Sequence, residues 1–247
     1  MLARLFEDER RPWLLQGGYA FELRYRPNAR TTRDLDLCVL GAREESTTAN
    51  LEAVHVALAS AAAFDLGDLM CFEISVARRE LTAAPFGGAT FPVQARLGDK
   101  PLGQIHVDVA SSEGPLGPVD ELVGADVLGF ASLPPARVRA MSKAQQFAEK
   151  LHAYTSPWAS RENTRVKDLV DMVMLIERET LDPKELRRAA SAVFAARERQ
   201  ALPVQLAAPP AAWRERYPEL ASQARVNARD VDAAFALLAA HWASVIG

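Results

Sequence analysis

The chain has 247 residues, 49% of them hydrophobic and 25% charged, an ordinary globular mixture that excludes a disordered tract and a strongly basic nucleic-acid coat protein. Its two cysteines, Cys38 and Cys71, allow at most one bridge, and no apolar run is long enough to span a bilayer. The N-terminus lacks the basic-then-apolar order of a signal peptide, so the expectation is a cytoplasmic protein without membrane contact. The net charge of −3 is unevenly spread: residues 1–136 carry 12 basic and 19 acidic side chains, residues 137–200 carry 13 and 9.

The apolar Trp13-Leu14-Leu15 leads into Gln16-Gly17-Gly18, and residues 19–25 read as a short helical run. Residues 34–40 alternate polar and apolar side chains and read as a strand. Residues 46–64 read as a helix with Ser46 and Thr47 as available caps. Three strand-like runs follow at 71–76, 91–97 and 104–110, with a turn signal at Pro85-Phe86-Gly87-Gly88. Leu133-Pro134-Pro135 marks a joint, since paired prolines disfavour helix.

After that joint the texture is helical. Ser142 with Gln145 three residues on has capping-box spacing, and its helix should run to about Tyr154. Asn163 or Thr164 starts another, reaching about Glu177. Asp182-Pro183-Lys184-Glu185 is a helix start, 203–210 a loop, and Asn227 opens the last helix. The expectation is an α+β fold: a mixed sheet with flanking helices over residues 1–135, then an α-helical lobe over 136–247 that completes the active site and the acceptor-binding surface.

Several residues could carry chemistry. Gly17 and Gly18 let backbone N–H groups approach an anion at a helix start, although such a pair often marks only a turn. Arg24, Arg26, Arg30 and Arg33 precede two acids, and arginine forks suit phosphate oxygens, as they also suit a solvated loop. Asp34 and Asp36, at i and i+2 on a strand, point to one side, and a Mg²⁺ ion would relieve their repulsion. The same spacing recurs at Asp230 and Asp232, where a helix sends the two side chains apart, so context decides. Asp108 shares a strand face with His106 and is either a third metal-binding acid and proton acceptor or a solvent-facing strand acid. Thr164, Asp168, Asp171 and Leu175 fall on one helix face. Lys150, on the preceding helix, either reaches a phosphate with Asp168 holding it or forms a surface salt bridge. His55 and His152 read as core histidines. Trp13, Trp158, Trp213 and Trp242 read as packing anchors, with Trp158 the one worth testing for stacking.

In combination these residues resemble the DNA polymerase β-like nucleotidyltransferases. More specifically, Leu-Leu-Gln-Gly17-Gly18, then Arg30-x-Thr32-x-Asp34-Leu-Asp36, then Ala148-Glu-Lys150-Leu-His-Ala153, then Arg165-Val-Lys167-Asp168-Leu-Val-Asp171 is similar to the AbiEii/AbiGii toxin family. That family includes the MenT-type toxins of bacterial toxin–antitoxin systems. The resemblance runs from about Trp13 to Ile176 and implies a Mg²⁺-dependent, or Mn²⁺-dependent, nucleotidyltransferase. Its substrates would be an NTP and an RNA acceptor, with the tRNA 3′ end foremost, and a cognate antitoxin would be a partner. Asp34, Asp36 and Asp108 match the metal-binding acids. Gly17, Gly18, Arg30, Thr32 and Lys150 match nucleotide-binding positions. Asp34, Asp36, Asp108, Lys150 and Asp168 would be catalytic. The rival readings are transfer to a small molecule such as an antibiotic, transfer to a protein, and a binding module without catalysis.

Overall fold

The structure is a computed structural model that describes residues 1–8, 11–30, 32, 34–40, 47–81, 87–112, 117–157, 163–198 and 200–247. Arg33, Ser46, Pro85-Phe86 and Trp158, all singled out in the sequence, lie outside the described residues. The chain divides into two compact units. One comprises Met1–Arg24, Thr31–Pro115 and Val119–Met141. The other holds Ser142–Gly247 together with Tyr25–Arg30 and Leu116–Pro118.

The first unit is built on a mixed sheet of eight strands among the described residues. They are β1 (Trp13–Leu15), β2 (Asp34–Leu40), β3 (Met70–Ile74), β4 (Arg79–Glu80), β5 (Gly88–Leu97), β6 (Lys100–Ser112), β7 (Val119–Val123) and β8 (Arg137–Met141). The order is β3-β5-β6-β2-β1-β8-β7, with β4 paired to β5. β2 runs parallel to β6 and antiparallel to β1, and β1 runs parallel to β8. Strand alternation sorts the side chains. Leu35, Leu37 and Val39 of β2 and Val107 and Val109 of β6 enter one core. There they meet Leu5 of α1 (Leu2–Leu5), Ala20 of α2 (Gly17–Tyr25) and Val54, Leu58 and Ala61 of α3 (Thr47–Ala62). The opposite sheet face carries Leu14, Cys38 and Met141 as a small apolar cluster, and the even-numbered acids of β2 and β6.

The second unit is all helical in its regular structure: α4 (Lys143–Thr155), α5 (Val166–Arg178), α6 (Pro183–Arg197), α7 (Trp213–Ala224) and α8 (Val231–Ile246). Its ends follow the local chemistry. Ser142 caps α4 by accepting from the Gln145 backbone N–H at 3.2 Å. Asp182 caps α6 from the Lys184 N–H at 3.0 Å, with Pro183 in the first turn. Its core gathers Phe147, Leu151, Leu169, Val173, Tyr217 and Trp242. Residues 25–30 are pinned to this unit. Tyr25 Oη donates to Glu179 at 2.8 Å, Arg178 to the Asn28 carbonyl at 2.6 Å, and Arg225 to Asn28 Oδ1 at 2.8 Å.

Four expectations shift. The division falls after Met141 rather than at Pro135, because Arg137–Met141 pairs with β1 and β7 as a sheet strand. The last helix begins at Val231, not Asn227, because Asp230 accepts from the N–H groups of Asp232 and Ala233 at 3.1 and 2.8 Å and so sets the start. α5 begins at Val166, so Thr164 precedes the helix rather than lining its face. α7 was not foreseen. Pro218 in its interior masks the pattern, while buried Trp213 and Tyr217 hold it in place. No helix among the described residues is long and apolar enough to cross a membrane.

Candidate functional site

In the sheet unit the candidate residues converge on the central strands. The parallel register sets Asp34 of β2 opposite His106 of β6 and Asp36 opposite Asp108. Adjacent strands lie about 4.8 Å apart, so Asp36 and Asp108 stand side by side on the face turned from the main core. Asp34 is exposed, and Asp36 and Asp108 are half-buried. Thr90, on β5, donates its hydroxyl to Asp108 Oδ1 at 2.6 Å. Thr90 was not foreseen; it became recognisable only once β5 was known to pair with β6, with Thr90 opposite Asp108.

The glycine turn closes this face from the β1 side. Gly17 opens α2 with φ +63°, a backbone region that L side chains rarely adopt, and Gly18 behind it is buried. A Cβ on Gly17 would stand 1.9 Å from Asp36 Oδ2. The close approach foreseen for an anion is thus made by the Asp36 carboxylate itself. The Gln16 N–H donates to the Asp36 carbonyl at 2.9 Å, which fixes the strand beside the turn. Thr32 is half-buried, with its backbone N–H 3.5 Å from Glu22 Oε2.

Among the described residues no three His, Cys, Asp or Glu side chains form a group that could hold a metal ion. Asp34, Asp36 and Asp108 are therefore a row on one sheet face rather than a closed cluster. The donor set still fits a small hard cation. It is all carboxylate oxygen, with Asp34 exposed and Asp36 and Asp108 half-buried, and Mg²⁺ commonly takes one or two carboxylates and fills its shell with water and phosphate oxygens.

In the helical unit the remaining candidates form a buried ionic network. Lys150 of α4 is 8% exposed, and its Nζ lies 2.7 Å from Asp171 Oδ2 and 3.2 Å from Asp168 Oδ1. Arg30 grips Asp171 with both arms of its fork, Nε to Oδ1 at 3.0 Å and a terminal nitrogen to Oδ2 at 2.8 Å. Arg165 approaches Asp168 at 3.8 Å. This is not a surface salt bridge. Burial opposes the charge on Asp171, but Lys150 and Arg30 outweigh it and hold the carboxyl below its ordinary range. Burial likewise opposes the Lys150 ammonium, and Asp171 and Asp168 together hold its pKa above the ordinary lysine value. The sequence places Asp171 on one helix face with Asp168 without marking it as a site residue. Its distance of three residues from Asp168 was the available signal.

Arg30, expected among the nucleotide-binding residues, places its guanidinium on Asp171. Of the two histidines read as core residues, His152 is buried and His55 half-buried. His55 bonds the Ile74 carbonyl at 3.0 Å and stacks on Phe91, and His152 packs edge-on against Phe194.

Residues 1–239 match a family model described as the nucleotidyl transferase AbiEii toxin of a type IV toxin–antitoxin system. No curated protein matches the chain significantly in sequence. Among solved structures, the nucleotidyltransferase toxin MenT4 of Mycobacterium tuberculosis aligns with 99% of this chain and 89% of its own at a TM-score of 0.56 and 16% identity, a likeness of fold. JHP933 of Helicobacter pylori aligns over 99% and 89% of the two chains, with a TM-score of 0.47 and 13% identity.

Proposed function

Because the chain belongs to the AbiEii family of nucleotidyltransferase toxins, we propose that it transfers a nucleoside monophosphate from an NTP to a hydroxyl of an RNA acceptor, the tRNA 3′ end foremost. The acceptor oxygen bonds to the α-phosphorus, the bond to the β-phosphate bridging oxygen breaks, and pyrophosphate leaves. The observation that carries this reading is the pairing of Asp36 with Asp108 on adjacent strands of one sheet face.

Asp34, Asp36 and Asp108 would hold a Mg²⁺ ion, or Mn²⁺ in its place, which would neutralise charge on the triphosphate and orient it. The chain's own groups do the rest. Gly17, having no Cβ, leaves room for the Asp36 carboxylate, and Gly17 and Gly18 present the start of α2 toward a phosphate. Thr32, two residues before Asp34, is a further phosphate contact. Thr90 occupies Asp108 Oδ1, which leaves Oδ2 as the oxygen to take the acceptor's proton. Lys150 donates to the β- or γ-phosphate, and Asp168 steadies its ammonium. Arg30 adds positive charge through the same network.

Exposed Lys184, Arg187 and Arg188 on α6 supply a basic surface for the acceptor's phosphates. The setting would be the cytoplasm, where NTP and tRNA are found, with an antitoxin restraining the enzyme.

The test uses purified protein with Mg²⁺, each labelled NTP in turn and total cellular RNA, resolved on a denaturing gel beside Asp36→Ala. Label in tRNA-sized bands that the variant fails to produce is the expected result. Label confined to a small-molecule or protein acceptor, or an Asp36→Ala variant with full activity, would overturn the proposal.

A further inference from the structure

Assigning Lys150 to phosphate leaves one buried carboxylate without a task. Asp171 is fully buried, whereas the Asp168 side chain, one turn earlier on α5, retains 14% exposure. Both Asp171 oxygens are engaged, Oδ1 by Arg30 and Oδ2 by Arg30 and Lys150 together. Asp168 gives Lys150 one longer contact at 3.2 Å.

We infer that Asp171 is the positioning residue of this site: its carboxylate clamps the Arg30 guanidinium and the Lys150 ammonium side by side and so fixes where the ammonium stands. The inference deepens the proposed function and rests on it for the purpose of the clamp, though not for its existence.

Lysine carries a point charge on a flexible four-carbon stem, so its ammonium needs an external anchor, whereas arginine's planar fork locks onto a carboxylate in one geometry. The fork here is itself immobilised, because residues 25–30 are tied down through Tyr25 and through Asn28, which bonds Arg178 and Arg225. Finally, Arg30 and Lys150 balance Asp171 and Asp168, which is the condition for keeping charges in a buried place, while the exposed Arg165 meets Asp168 only at 3.8 Å. Among the described residues, Asp168 and Asp171 from α5 and Arg30 from the pinned segment face Lys150. Glu149 adjoins it on α4 and is held by Arg197. Held this way the ammonium stays protonated at neutral pH, so it donates hydrogen bonds and does not accept a proton.

The experiment follows the Lys150 ammonium by NMR titration in the full-length protein, in Asp171→Asn and in Asp168→Asn. The lysine should titrate above its ordinary value in the parent. It should fall in both variants, and fall further in Asp171→Asn. An equal or larger fall in Asp168→Asn would overturn the inference, whether or not a nucleotide binds.

Titration with each of the four NTPs and Mg²⁺ then reads the purpose. Asp171→Asn should weaken NTP binding about tenfold in the parent and cause no further loss in a Lys150→Ala background, since it acts through that lysine. Equal losses in both backgrounds would show a merely structural effect and refute positioning. A parent that binds no NTP would sink the proposed function while the lysine titration still decides the clamp. Should Asp171→Asn not fold, Arg30→Gln reads the network from its other side. Losing the guanidinium should raise the Lys150 titration, and an unchanged lysine would refute the inference.

Discussion

Replacing Gly17 with Ala separates two costs that usually arrive together. The first is conformational: Gly17 sits at φ +63°, where an L side chain costs about 1–2 kcal/mol. The second is contact. The new Cβ would lie 1.9 Å from Asp36 Oδ2, and ordinary van der Waals contact begins at 3.4 Å, so the carboxylate must retreat by more than 1 Å. Displacement on that scale at a reacting centre costs up to about 100-fold in rate. Gly67 supplies the control, because it has φ +72° and nothing within 4 Å of its would-be Cβ. Gly67→Ala should therefore show the strain alone, a fall in Tm of roughly 2–8 °C for a chain of this size, with transfer activity kept. Gly17→Ala should match or exceed that fall and lose about 100-fold in transfer rate. The assay pairs calorimetry with the labelled-RNA gel. A Gly17→Ala enzyme with parental turnover would refute the reasoning, because it would mean the position of Asp36 does not matter to the reaction.

Thr90→Val removes the hydroxyl that bonds Asp108 and should cost about 1 kcal/mol of stability with a measurable drop in turnover. Unchanged kinetics across the pH range would remove Asp108 Oδ1 from the argument. The acid side of the stability profile should carry the signature of Asp171. Its folded pKa lies below the unfolded one, so its contribution is present above about pH 4 and is lost as pH falls through the depressed value. Chemical denaturation at pH 7 and pH 3 should show a smaller acid loss in Asp171→Asn than in the parent; equal losses would contradict this. The sign reverses for Lys150. Its raised pKa gives stability that is complete below the ordinary lysine value and fades as pH climbs through the folded one. Lys184→Glu combined with Arg188→Glu on exposed α6 should weaken RNA binding and flatten its salt dependence, while NTP affinity stays at the parental level. An unaltered salt slope would move the acceptor surface elsewhere.

The sequence was most legible where one periodicity acts alone. β2 shows why: Leu35, Leu37 and Val39 alternate with Asp34, Asp36 and Cys38, and a two-residue period needs no knowledge of the neighbouring strand. Ser142 and Asp182 announced their helices for a similarly local reason, since each cap serves an N–H within three residues. What escaped depends on distant partners. Thr90 became relevant only when β5 and β6 were set in register, 18 residues from Asp108. Arg30 looked like a phosphate fork because its partner Asp171 is 141 residues away, and no local signal reports such a pair. β8 was hidden beside the prolines because its strand character rests on β1 and β7. Pro218 hid α7 by breaking the pattern that marks a helix.

The short segment Tyr25–Arg30 has a consequence for anyone who would dissect this protein. Chain on both sides of it belongs to the sheet unit, yet the segment is part of the helical one. No single cut can therefore yield two intact halves. A fragment beginning at Ser142 would leave Asp171 with Lys150 but without the guanidinium, and would strip Glu179 and Arg178 of their partners Tyr25 and Asn28. Supplying residues 25–30 as a separate peptide should restore what the truncation loses. By the same token, any transplant of the helical unit must carry residues 25–30 with it.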